Sequence, residues 1–240
     1  MTGLAHRDRR AAAHLLAERL PRLVAVTLVA AILSAVAIVL FAPSTSMWDR
    51  LAGLALRVFV AYSMGRHLIR RRLPLYVAHG RTRGQFMQHA SLAAAGYSAA
   101  AAVVMAGGLR IESAVHRAFD WPHDLAFTHL FEGPEQLWLV GIEFWLLFAV
   151  WAVAGALLAV WLRAAEEHLS FFLDLVRIPA AAGIVVLAES AVGTPTAFGL
   201  GLAGPLPVAM AVAVCAAVTA TGLAMTWVVL RHVRIRATAP

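Results

Sequence analysis

The sequence predicts an all-α, polytopic membrane protein with six transmembrane helices and an N-terminal amphipathic interfacial helix. Of its 240 residues, 61% are hydrophobic and 14% are charged, whereas soluble domains are about 45–50% apolar. The apolar residues are concentrated in stretches close to the roughly 20 residues that a helix needs to cross a bilayer. The basic residues fall between these stretches, and their distribution orients them.

Six apolar stretches are predicted to span the membrane: residues 23–41, 51–69, 90–109, 137–162, 171–192 and 206–230. Before them, residues 1–22 carry leucines and alanines near helical spacing among arginines, which predicts a cytoplasmic amphipathic helix on the membrane surface. The alternative for residues 1–22 is a solvated tail. We expect a single domain, with a cytoplasmic loop over 70–89 and an external loop over 110–136.

The arginines predict the topology. All 20 basic residues are arginine and the net charge is +7. With the N-terminus in the cytoplasm, only Arg50, Arg57, Arg110 and Arg117 lie in the outer half of the protein. Because cytoplasmic loops are enriched in basic residues, both termini are predicted to be cytoplasmic, which requires an even number of spans. The aromatic residues lie in the apolar runs and not among the arginines, so we expect a lipid bilayer and no nucleic acid as partner.

Several kinds of site are disfavoured. The single cysteine, Cys215, excludes an internal disulfide and a Cys-x-x-Cys metal site. A rhomboid-like serine protease would need a Gly-x-Ser-x-Gly-type span with a paired histidine. A CAAX-type glutamate protease would need Glu-Glu-x-x-x-Arg, but Phe171 takes the arginine position after Glu166 and Glu167. We therefore expect no catalytic residue and no cofactor in this chain.

Three charged residues inside the predicted spans are candidates for a substrate path: Glu143, Glu189 and Arg57. Intramembrane charges are expensive and often functional, and the two carboxylates suit a cationic or amphipathic substrate. The alternative is that a glutamate pairs with Arg57 or lies at the interface. Arg57 is expected to reach toward the outer membrane surface.

The external loop contains many possible metal ligands: His116, Asp120, His123, Asp124, His129, Glu132 and Glu135. Their spacing matches no metal motif, so we predict no metal site. The aromatic residues of the loop favour a segment that caps the outer end of the bundle.

The cytoplasmic loop has a pattern of its own. An amphipathic turn follows Pro74, Gly80 ends it, and Phe86 begins the next apolar pattern. This length is sufficient for a helix that lies across the membrane surface and docks onto a cytoplasmic partner; the alternative is binding to lipid phosphates. The candidate contact residues are Pro74, Leu75, Tyr76, Gly80, Arg81, Thr82, Arg83 and Phe86.

The run Gly80-Arg81-Thr82-Arg83 followed by Phe86 resembles the G-x-[ST]-R-x-x-F pattern of ATP-binding-cassette (ABC) exporter permeases. The resemblance is to the small six-span type, called type 2, which is common in actinobacteria. The layout of basic N-terminus, spans, long second-to-third loop and basic C-terminus is similar over nearly the full length. Gly84 departs from the pattern, because arginine or another polar residue is frequent at that position.

The resemblance implies a permease subunit of a bacterial plasma membrane that exports substrate by alternating access. A second permease copy, identical or different, and a separate ATPase subunit that holds ATP and Mg would complete it. This chain lacks the G-x-x-x-x-G-K-[ST] phosphate loop. Residues 74–86 would be the coupling helix, and Glu166 and Glu167 a second contact with the ATPase. The alternative is an energy-independent transporter, or a membrane scaffold whose basic loop binds lipid or another partner.

Overall fold

Every regular element in the described part of the chain is a helix, which confirms the all-α prediction. The computed structural model describes residues 15, 17–41, 45–165, 171–192 and 206–232. The predicted amphipathic helix over 1–22 therefore lies largely outside the described residues. Its last three residues belong to the first long helix, which begins at Leu20.

The helices follow one another with short connections. They are α1 (Leu20–Phe41), α2 (Met47–Ala55), π1 (Leu56–Tyr62), α3 (Ser63–His67), π2 (Leu68–Arg72), α4 (Leu73–Ala78), α5 (Arg83–Ala118), α6 (Leu137–Ala165), α7 (Phe171–Val192) and α8 (Val208–His232). The five elements from α2 to α4 join without a break, since the residues at each junction keep right-handed helical backbone angles. We call this continuous run over 47–78 the segmented helix.

Within the described residues, four helices are long and apolar enough to cross a membrane: α1, α5, α6 and α8. Large apolar side chains of α1 are strongly exposed, up to 74% for Phe41. In water such a surface would be unfavourable, whereas lipid tails accept it at no cost. The structure thus agrees with a membrane-embedded, all-helical protein.

The loops predicted before and after α5 are longer than the connections in the structure. The predicted cytoplasmic loop over 70–89 is reduced to a connection over 79–82, and the predicted external loop over 110–136 is reduced to a connection over 119–136. Pro74 is the second residue of α4 and follows π2 directly, so it lies within the segmented helix and not at a free helix end. Thr82 and Gln85 form a capping box that starts α5 well before residue 90. Gly80, with a φ of 72°, makes the predicted break between the two helices.

The central helix is α6, which packs against α5, α7, α8, π1 and α3. At its closest approach to the segmented helix, a methyl group on Gly155 would collide with the carbonyl oxygen of Tyr62. A methyl group on Gly65 would likewise collide with the carbonyl oxygen of Ala152. The close contacts at Gly65 and Gly155 lie within the bundle, where small residues let two backbones touch.

Contacts at each end of the bundle show which elements lie together there. At the arginine-rich end, which holds residues 66–83 and 231, the Arg83 guanidinium donates hydrogen bonds to the carbonyl oxygens of Leu230 (2.5 Å) and Arg231 (2.8 Å). At the opposite end, the backbone N–H of Ser46 donates to the carbonyl oxygen of Asp124 at 2.7 Å. The start of α2 and the connection 119–136 thus lie together, away from most of the arginines.

Candidate functional site

Five ionisable side chains are brought together inside the bundle, and we call them the buried charge network. They are Asp49 of α2, Arg57 of π1, His129 of the connection 119–136, Glu143 of α6 and Glu189 of α7; none is more than 6% exposed. Burying charges is costly unless each finds a partner. The geometry shows two groups of partners within the network.

His129 bridges two carboxylates. Its Nε2 lies 2.9 Å from Asp49 Oδ2, and its Nδ1 lies 2.6 Å from Glu143 Oε1. The second oxygen of Glu143 accepts the backbone N–H of Leu130 at 2.8 Å. The imidazole stacks on Phe131, with ring centroids 4.6 Å apart. One histidine therefore ties the connection 119–136 to both α2 and α6.

The environment of His129 favours its charged form. Burial by itself lowers the pKa of the imidazole, but the hydrogen bonds to Asp49 and Glu143 outweigh this effect and raise the pKa to about 9. The imidazolium is therefore the form present at neutral pH. It carries a positive charge between two carboxylates in a site that water does not reach.

The second group is an ion pair across the bundle. Arg57 Nη1 lies 3.3 Å from Glu189 Oε1, and the indole N–H of Trp151 donates to the same oxygen at 2.9 Å. The Arg57 guanidinium also lies 6.0 Å from the centre of the Phe144 ring, within reach of a cation–π contact. The expectation that Arg57 reaches the membrane surface is wrong, because its carboxylate partner holds it inside at 5% exposure.

The two groups meet at Gly53. A methyl group on Gly53 would lie 3.8 Å from Asp49 Oδ1 and 3.9 Å from Arg57 Nη2. Within the described residues these two atoms are buried and have no hydrogen-bond partner. Gly53 thus lies between Oδ1 of Asp49, which contacts His129 through its other oxygen, and Nη2 of Arg57, which pairs with Glu189.

Arg57 belongs to an unusual helical turn. It is the second residue of π1, and π-helical turns are rare and frequently occur at functional sites. The extra residue in such a turn rotates the side chains that follow relative to those before it.

A separate polar cluster fixes the same end of α2. Glu112 of α5 accepts the hydroxyl of Ser46 and the backbone N–H groups of Met47 (2.8 Å) and Trp48 (3.1 Å). His123 Nε2 lies 3.6 Å from the same carboxylate. A carboxylate at a helix N-terminus is favourable for the exposed N–H groups and the helix dipole. The cluster therefore anchors α2, α5 and the connection 119–136 to one another.

The structure brings all three predicted path residues into the buried charge network. Glu189 pairs with Arg57, as one alternative expected, whereas Glu143 pairs with His129. The largest cavity among those mapped in the described residues, about 470 Å³, lies elsewhere, between α1 and α5, and is lined by Ser34, Trp48 and Ile111 among others. The charged groups thus contact one another, and none of the five lines this cavity.

Comparison with known proteins adds nothing to this geometry. No protein-family model, curated protein or solved structure matches the chain.

The predicted coupling residues form a compact turn at the arginine-rich end. His79, Gly80, Arg81 and Thr82 are exposed, and Leu75 is 48% exposed. Of the predicted set, Leu75, Gly80, Arg81 and Thr82 are therefore the residues that are open to the surroundings.

The other members of the set hold the turn together. Pro74 starts α4, and the Tyr76 ring packs edge-on against Phe86 at 5.3 Å. Phe86 is fully buried, and Arg83 is occupied by the end of α8. The predicted second contact, Glu166 and Glu167, lies outside the described residues.

Sequence reasoning missed Asp49, Gly53 and Trp151 as members of the site, and it gave His129 no partner. A signal for Asp49 was present: Ser46 and Asp49 have the spacing of a helix cap, and Asp49 N–H does donate to Ser46 Oγ at 3.0 Å. That pattern explains the helix start but not the contact with His129, which lies 80 residues further along the chain.

Proposed function

We propose that the protein is the permease subunit of an ABC-type exporter in a bacterial plasma membrane, with both termini in the cytoplasm. A separate ATPase subunit supplies the energy and a second permease copy completes the path. The observation that carries the proposal is the exposed basic turn over 79–82 and its attachment to three helices. A partner that moves such a turn moves the bundle with it.

The attachment of the turn follows from its contacts. The turn leaves α4 at Ala78 and enters α5 at Arg83, so a displacement acts on both helices directly. The hydrogen bonds of Arg83 extend the attachment to the last carbonyls of α8. The packing of Tyr76 on Phe86 and the capping box of Thr82 make the turn stiff. A lipid-binding loop would not need this stiffness.

Six spans are supported by the lengths of two further segments. The segmented helix has 32 residues, about 48 Å of helix, which exceeds the roughly 30 Å hydrocarbon core. Helix α7 has 22 residues, about 33 Å. Together with α1, α5, α6 and α8 they give six crossings. The concentration of arginines at one end supports a cytoplasmic position for that end.

The test is purification of the tagged chain from native membranes in mild detergent, with Mg-ATP hydrolysis measured in the eluate. We expect wild type to carry ATPase activity and Arg81→Glu to lose it, because Arg81 is exposed on the turn and reversal of its charge repels a complementary surface. Arg83 is left unchanged, since its substitution would also loosen α8. The matched control is Arg50→Glu, an exposed arginine at the opposite end, which should keep the activity.

Two outcomes would contradict the proposal. The first is that wild type elutes without ATPase activity under conditions that keep a control transporter intact. The second is that Arg81→Glu retains the full ATPase activity of wild type. Either result would favour the second candidate, a transporter that is independent of ATP. The observation in favour of that candidate is the buried charge network, because ionisable groups inside a membrane bundle commonly carry protons or cations.

A further inference from the structure

The hydrogen bonds of His129 require more protons than a neutral imidazole and two carboxylates provide. Both ring nitrogens face carboxylate oxygens, Asp49 Oδ2 at 2.9 Å and Glu143 Oε1 at 2.6 Å. A neutral imidazole has a single N–H, so one of these contacts would join two acceptors. At distances this short, each of the two contacts needs a hydrogen between its nitrogen and its oxygen. The three groups must therefore hold two hydrogens in total. The site therefore holds one proton beyond that of the neutral imidazole.

The charges around this site favour retention of that proton. Asp49 of α2 and Glu143 of α6 face the imidazole directly. The guanidinium of Arg57 in π1 lies on the other side of Gly53 from Asp49. Its positive charge is paired with the carboxylate of Glu189 in α7. Among the described residues, the thiol of Cys215 on α8 is a further titratable neighbour, within electrostatic range of Glu143. With imidazolium and all carboxylates ionised, the five network residues sum to one negative charge, and loss of the proton would leave two.

We propose that Asp49, His129 and Glu143 form a buried proton-binding site that clamps the connection 119–136 onto α2 and α6 while it is occupied. Without the proton, one contact of His129 becomes acceptor against acceptor, and two carboxylates share a site with no cation between them. The connection then detaches at Leu130, whose N–H is held by Glu143. The ligand is a proton, and the site works independently of any ATPase partner.

The proton is held through the neutral range. The pKa of His129 is raised from the ordinary 6.5 to about 9 in the clamped state. The clamp is thus fully effective below pH 6.5 and is lost as the pH rises through about 9. Between pH 7 and pH 9 the equilibrium constant for detachment rises at least about tenfold.

The decisive variants supply the missing hydrogen covalently. In Glu143→Gln, the amide nitrogen donates to His129 Nδ1 while the amide oxygen still accepts Leu130 N–H. His129 then donates its single N–H to Asp49, so every contact is satisfied without an extra proton. Asp49→Asn does the same from the other side of the ring. Both variants keep the size of the side chain.

The experiment is millisecond hydrogen–deuterium exchange read by mass spectrometry on peptides covering residues 125–133, from pH 7 to pH 9. Each rate is divided by the intrinsic rate of an unstructured peptide at the same pH. We expect protection in wild type to fall at least about tenfold, and protection in Glu143→Gln and Asp49→Asn to change less than about twofold. A peptide from the centre of α6, residues 147–157, serves as the internal control.

Three results would overturn the proposal. Protection in wild type may be constant over this range, in which case no proton is released. The amide variants may lose protection with pH as wild type does, in which case another group titrates. Both variants may be unprotected already at pH 7, in which case the clamp depends on the two negative charges and not on the proton.

Discussion

The carboxylate of Glu189 lies 3.3 Å from the guanidinium of Arg57, inside the bundle and 132 residues further along the chain. The pair joins π1 to α7, two elements that are separated in sequence by α5 and α6. Trp151 of α6 donates to the same carboxylate and so fixes its orientation. The ion pair is therefore a connection between three helices, and its removal can be tested.

We predict that Glu189→Ala destabilises the protein by about 3–5 kcal/mol, because it leaves the charge of Arg57 buried without its carboxylate. The double variant Arg57→Met, Glu189→Leu should recover most of that loss, since apolar side chains of similar volume tolerate the site. The measurement is unfolding in detergent micelles followed by tryptophan fluorescence. A single variant within about 1 kcal/mol of wild type would show that the pair contributes little.

We predict that stability depends on pH through His129. Its pKa is higher in the folded protein, about 9, than the ordinary 6.5. The stabilisation is therefore complete below pH 6.5 and is lost as the pH rises through 9, with a total on the order of 3 kcal/mol. The melting temperature of wild type should fall over this window more steeply than that of His129→Gln. Parallel curves for the two proteins would contradict the assignment to His129.

We predict that Gly155→Ala destabilises the bundle by about 1–3 kcal/mol or more. The added methyl group meets the backbone carbonyl of Tyr62, which cannot rotate away as a side chain would. The matched control in the same helix is Gly141→Ala, whose methyl group meets nothing within 4 Å. Alanine favours helix over glycine, so the control should be neutral or slightly stabilising in a thermal unfolding experiment.

We predict that Arg83→Gln loosens the end of α8, whereas Arg81→Gln does not. Arg83 donates two charged hydrogen bonds to the last carbonyls of that helix, a contribution of about 1–2 kcal/mol. Amide exchange in a peptide covering 226–232 should accelerate in the first variant only. Equal exchange in both variants would indicate that the link between the turn and α8 is weak.

The sequence was sufficient to predict the helical class and the apolar helices, because long apolar runs have few ways to satisfy their backbone in lipid. It also located the turn at Gly80, since a left-handed backbone angle favours glycine locally. It did not locate the ends of the helices around that turn. The arginines led to a predicted loop over 70–89, but α4 continues to Ala78 and α5 begins at Arg83, as the capping box of Thr82 shows.

The buried charge network could be predicted only in part. Glu143, Glu189 and Arg57 were evident as charges within apolar runs. Their partners were not, because the contact of Glu143 with His129 depends on how the connection 119–136 folds back onto the bundle. Similarly, Asp49 resembles an ordinary helix-capping residue until His129 is placed beside it. Pairings across long separations follow from packing and not from spacing.

The backbone contact at Gly65 and Gly155 has a mechanical consequence. Two helices whose backbones touch leave no room for a larger side chain between them, so the segmented helix and α6 are held at a fixed distance there. The contact lies about 15 residues, or roughly 22 Å of helix, from both Asp49 and His79. The proposed proton site and the exposed turn are therefore at opposite ends of one helix whose middle is held against α6.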